Sequence, residues 1–99
     1  MDLVLALGHD HHISFTWLMG QDRATEKPNG GIVRHKRKDG ATCEYSIVFD
    51  GEWAREHMPN RTRWTVESWE PLTLSPSLRC LAEGCGDHGF IKQGKWVPA

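Results

Sequence analysis

Ser75-Pro76-Ser77-Leu78-Arg79-Cys80-Leu81-Ala82-Glu83-Gly84-Cys85-Gly86-Asp87-His88-Gly89-Phe90-Ile91 carries two of the chain's three cysteines, with four residues between them, and a histidine after a two-residue gap beyond the second. Two thiolates and an imidazole on one short loop are three of the four ligands that a tetrahedral zinc ion takes. Gly84 and Gly86 interleave with them and give the backbone freedom to aim several side chains at one point. On this reading Cys80, Cys85 and His88 bind zinc, and a metal staple decides the shape of a chain whose core is small. The competing reading is two buried free thiols and a surface histidine. For the fourth ligand, the cluster Gly8-His9-Asp10-His11-His12 offers His9 first, with His11, His12 or Cys43 as replacement ligands. Cys43 lies among strand-like neighbours, where a lone cysteine commonly serves as a small buried apolar side chain.

Working outward, 99 residues are the length of a single domain over 1–99, large enough to bury a core but of marginal stability alone. An odd number of cysteines argues against a disulfide framework and for reduced or metal-bound thiols, as in a cytoplasmic protein. The apolar run Leu3–Leu7 is too short for the core of a secretory signal, and Asp2 stands where such a signal carries positive charge. With a mean hydropathy of −0.54 no segment reads as a membrane span, and a net charge of −1 supplies no global attraction to nucleic acid or anionic lipid.

The rest of the chain reads as strand and turn. Residues 3–7 predict a buried strand, and the alternation of Ile13, Phe15 and Trp17 predicts a half-buried one paired with it. Ile32–Lys38 and Thr42–Phe49 flank Asp39-Gly40, a strong hairpin signal. Glu52–Met58, stopped by Pro59, is the one plausible helix. Thr62–Trp69 and Leu72–Leu74 are extended, and Gly89–Val97 forms a terminal hairpin turning at Gln93-Gly94. The fold class is therefore mainly β: a small antiparallel β domain with one short helix, stapled by a structural zinc site. Leu74, Leu78, Phe90 and Ile91 are expected to pack around the ligand loop, with Trp64 and Trp96 closing the core.

Trp64 and Trp69, Pro71-Leu72-Thr73-Leu74-Ser75-Pro76-Ser77-Leu78, Cys85-Gly86-Asp87-His88, Phe90-Ile91 and Gly94-Lys95-Trp96 together resemble an uncharacterised zinc-binding family of bacteria and actinobacterial phages. The likeness covers residues 64–97. The family's first motif has a cysteine where this chain has the turn His9 to His12, a departure from the pattern. The resemblance implies a phage-derived module, and some relatives sit near ubiquitin-like conjugation genes in bacteria.

Three functions compete. Five tryptophans favour a zinc-stabilised binding module that acts through protein–protein contacts, in virion assembly or on a host protein. Arg34-His35-Lys36-Arg37-Lys38 is the basis for a nucleic-acid-binding alternative, diluted because neighbouring side chains on a strand point to opposite faces. A metal-dependent nuclease or hydrolase would use Asp10 or Asp87 beside the histidines. A His-Asn-His arrangement through His57 and Asn60 lacks the surrounding strand–strand–helix pattern. No residue is singled out as catalytic.

Overall fold

Alternation and turn chemistry account for most of the architecture. The computed structural model describes residues 3–99, so that Met1 and Asp2, the latter weighed above against a signal sequence, lie outside the described residues. Strands β1 (Val4–Gly8), β2 (His11–Thr16), β3 (Gly30–Lys36) and β4 (Thr42–Val48) form one antiparallel sheet in sequence order. The β1–β2 turn is only His9-Asp10, both with positive φ (52° and 57°). That is the backbone of a type I′ turn, whose twist matches the strands it joins. The polar stretch read as one long turn is thus mostly strand, and His11 and His12 belong to β2. β1 is an edge strand, not a buried one: Leu7 is buried, whereas Val4 is 53% exposed. β3 and β4 turn through Asp39-Gly40, with Gly40 at φ 87°.

One short helix, α1 (Glu52–His57), follows, and Asp50 just before it is held by Arg55 and Arg63. The chain then re-enters beside β4 through a parallel bridge between Phe49 and Trp64. β5 (Thr65–Trp69) and β6 (Leu72–Ser75) make a two-stranded ladder. β7 (Leu78–Arg79), β8 (His88–Lys92) and β9 (Lys95–Pro98) make a three-stranded sheet. β8 and β9 turn at Gln93-Gly94, again with both φ angles positive. β6 lies against β8 and β1 against β9.

The core sits between the first sheet and the C-terminal strands. Leu7, Ile13, Val33, Ile47 and Phe49 meet Leu72, Leu74, Leu78, Ile91 and Trp96 there. Removing these side chains from water is the main favourable term. Leu74, Leu78, Ile91 and Trp96 are buried as the sequence predicts, Trp64 is partly buried, and Phe90 lies outside the core beneath Lys92. The fold is the mainly antiparallel β domain with one short helix that alternation implied. Among the described residues no helix is long and apolar enough to cross a membrane.

Candidate functional site

The register of the first sheet builds a row of ligand-type side chains. His11 on β2 pairs with His35 on β3, and His35 pairs with Cys43 on β4. Side chains of directly opposed residues lie on the same face of a sheet. This row lies at one end of the core-facing side, and His11, His35 and Cys43 are all buried. Cys80 and Cys85 reach it from the loop between β7 and β8. A backbone bond from Cys80 N–H to the Asp87 carbonyl (2.9 Å) closes that loop at its neck.

The result is a group of His35, Cys43, Cys80 and Cys85 whose donor atoms all lie within 4.8 Å of one another, able to hold a metal ion. His35 Nε2 is 3.7 Å from Cys85 Sγ. On the other side of the imidazole, Nδ1 stands 3.9 Å from Asp87 Oδ2, which His11 Nε2 engages at 2.7 Å. His11 Nδ1 meets the carbonyl of His9, and the His11 ring is stacked between Trp96 and His35, with centroids 4.1 and 4.9 Å away. The carboxylate and the stack hold the His35 ring so that Nε2 faces the thiols, the outer-shell support that metal-binding histidines commonly have. Burial pushes the Cys80 thiol up to about 11. Tyr45, edge-on to His35 with ring centroids 6.4 Å apart, has a buried hydroxyl with no partner among the described residues, and its pKa is raised, by burial first and by the charge of Asp87 second.

Of the ligands expected from the sequence, the structure brings together Cys80, Cys85 and Cys43. His9 occupies the β1–β2 turn and lends the group only its carbonyl, to His11. His12 points away from the row, because strand neighbours alternate. His11 joins His35 and Asp87 in a second group of potential ligands. His88 is not in either group. Its place in the four-residue group is taken by His35, which the sequence reading assigned to a basic hairpin.

His88 instead faces Ser77: Nε2 and Oγ are 2.8 Å apart. The cause is again register. Leu78 pairs with Gly89 and Arg79 with His88, so Ser77, one step earlier, is diagonal to His88 on the same face. Leu78, Gly89 and Ile91 turn the opposite way, into the core. The Ser77 carbonyl accepts a bond from Trp64 Nε1 (3.3 Å), which holds that segment in place. Arg79, directly across from His88, sets its guanidinium 3.4 Å from Nδ1. A guanidinium can only donate, so while this contact holds, the ring accepts at Nδ1 and carries its proton on Nε2. A hydroxyl within hydrogen-bond reach of an imidazole is one part of an activated nucleophile, which also needs the ring turned to accept at that nitrogen. The sequence reading did not single out Ser77. The available signal was its recurrence, with His88, in the motifs that carried the family likeness.

His88 also lines a cleft of ≈ 550 Å³, together with residues 35–39 of the β3–β4 hairpin and residues 84–87 of the loop between β7 and β8. No curated protein and no solved structure matches the chain. A family model described as the bacterial ubiquitination-like system serine protease, BubE, matches residues 43–99. That segment contains Ser77, His88 and all three cysteines, but not His35. The match corrects the functional expectation: it names a protease of a conjugation-type system, where the sequence reading favoured a phage-derived module of protein–protein contacts. The bacterial side of the resemblance holds, and nothing in the match speaks of zinc or of phages. By the extent of this match, the chain belongs to the bacterial ubiquitination-like system serine protease family.

Proposed function

We propose that this domain hydrolyses acyl bonds in polypeptides of a bacterial ubiquitination-like system, with Ser77 as nucleophile and His88 as general base. The observation that carries the reading is the 2.8 Å separation of His88 Nε2 and Ser77 Oγ. With Arg79 swung off the ring and the imidazole proton on Nδ1, Nε2 is free to accept. Ser77 Oγ attacks the scissile carbonyl carbon as its proton passes to Nε2. That proton then goes to the departing amine, leaving an acyl-serine that water hydrolyses by the same relay in reverse.

The metal in this proposal is a structural zinc ion held by His35, Cys43, Cys80 and Cys85. At usual zinc bond lengths a tetrahedral site sets sulfur and nitrogen ligands about 3.5 Å apart, against the 3.7 Å between Cys85 Sγ and His35 Nε2. Four protein ligands make a closed site, suited to holding structure and not to presenting water. The unpartnered Tyr45 hydroxyl beside the thiols is a donor of the kind that metal-bound thiolate accepts. Reduced thiols of this kind suit the cytoplasm.

The test is covalent labelling with a fluorophosphonate followed by peptide mass mapping. One adduct on Ser77, absent in Ser77→Ala and much slowed in His88→Gln, is the expected result. Cleavage of fluorogenic peptides that survives Ser77→Ala would overturn the reading.

A further inference from the structure

We infer that the cleft beside His88 is a subsite for a carboxylate-bearing segment of the substrate polypeptide, an inference that rests on the hydrolase reading above. The end of the β3–β4 hairpin, Lys36-Arg37-Lys38, lines this cleft. This concentrates three cations at one edge of a protein whose overall charge is −1. Lys36 and Lys38 are exposed, and among the described residues neither forms an ion pair. The Arg37 guanidinium reaches across toward the loop, 3.8 Å from where a Cβ on Gly84 would stand.

The acids bordering the same cleft are already engaged. Asp39 lies 3.6 Å from Arg37, and Asp87 is taken by His11. Arg34, the first cation of the basic run, is diverted elsewhere, bound to Glu44 at 2.7 Å and to Ser14 at 3.1 Å. What faces an incoming chain is therefore a positive edge carried by Lys36 and Lys38, in the same cleft as the base, His88. Such an arrangement attracts anions and raises their local concentration next to the reacting group.

Carboxylates fit this edge better than nucleic acid does. Among the described residues, histidines are the only ring-bearing side chains that border the cleft, which there lacks the tryptophan, tyrosine or phenylalanine platforms on which single strands stack. It also offers two unpaired cations, Lys36 and Lys38, where duplex binding commonly neutralises six to ten phosphates. The carboxylates are Asp or Glu side chains near the scissile bond, or a free C-terminus.

The experiment measures fluorescence anisotropy of Ser77→Ala protein with labelled peptides matched in length, carrying acidic flanks, neutral flanks, or neutral flanks with a free or amidated C-terminus. A single-stranded oligonucleotide is the comparison probe. Acidic flanks should tighten binding by about tenfold at low salt, a preference that shrinks to about twofold in 0.5 M salt as screening shortens. The exposed pair change K36Q/K38Q should bring the acidic-to-neutral ratio close to one. A gain that follows the free C-terminus instead supports the same subsite with the terminal carboxylate as its ligand. Equal binding of acidic and neutral peptides, a preference that survives K36Q/K38Q, or tighter binding of the oligonucleotide would each overturn the inference. Wild-type protein given the same peptides separates the two readings. Ser77-dependent cleavage without acidic preference sinks the subsite alone, and no Ser77-dependent cleavage of any peptide sinks the hydrolase reading.

Discussion

Replacing His35 and His88 separately by glutamine tests the division of labour between metal and base. His35 is buried on β3 with Nε2 toward Cys85, whereas His88 turns its Nε2 to Ser77. His35→Gln should therefore lose the metal. The stability at stake is large because, apart from the contact of Asp87 with His11, little else ties the loop between β7 and β8 to the first sheet: Leu81, its one large apolar side chain, is 87% exposed. Structural zinc contributes about 10–16 kcal/mol in small peptides at neutral pH, comparable with the whole net stability of a domain, about 5–15 kcal/mol. Even a loss of about 4 kcal/mol lowers the melting temperature of a domain this size by about 16–32 °C. His88→Gln should keep its metal and its melting temperature while losing fluorophosphonate labelling at Ser77. The assay is elemental analysis of protein purified without added metal, thermal melting with and without chelator, and labelling rate on the same samples. About one zinc per chain is expected in wild type and His88→Gln, and none in His35→Gln. Metal lost from His88→Gln but kept in His35→Gln would refute the assignment, as would a metal-free protein that melts where the loaded one does.

Two further outcomes follow from packing and charge. A Cβ on Gly89 would stand 2.6 Å from Cε2 and Cζ2 of the buried Trp96 and 2.7 Å from the Val97 carbonyl. Gly89→Ala should therefore cost about 1–3 kcal/mol as overpacking, and a urea midpoint equal to wild type would contradict it. Asp50 is held by Arg55 and Arg63, which lower its pKa to about 2. A carboxyl depressed in the fold stabilises it above the ordinary carboxylate range and loses that contribution as pH falls through the lowered value. Asp50→Asn should be less stable than wild type at pH 5, with the difference vanishing toward pH 2. Metal release at acid pH affects both proteins alike, so the difference between their urea midpoints isolates Asp50; a gap that persists unchanged would refute the pairing.

Much of the strand pattern was legible because its signals are local. Alternation at Ile13 and Phe15, the Asp39-Gly40 turn, the Gln93-Gly94 turn and the short helix before Pro59 depend on neighbours a few residues apart. Cys80 and Cys85 were recognisable as a pair for the same reason. The long apolar start was read as buried because periodicity does not reveal which strand lies at an edge. His35 looked like one member of a cationic run, and nothing near it in sequence marks it as different from Arg34 or Lys36.

The amino-acid order by itself determined a small antiparallel β domain with a thiol-rich loop near its end, since turn residues and alternation act over short distances. Only the tertiary structure decided which histidine meets the thiols and which meets a serine. That choice follows from strand register: pairing His35 with Cys43, and Arg79 with His88, sends one imidazole into the core face and the other to the surface beside Ser77. A shift of one residue in either ladder would exchange the faces, and no local feature of the chain records which register wins.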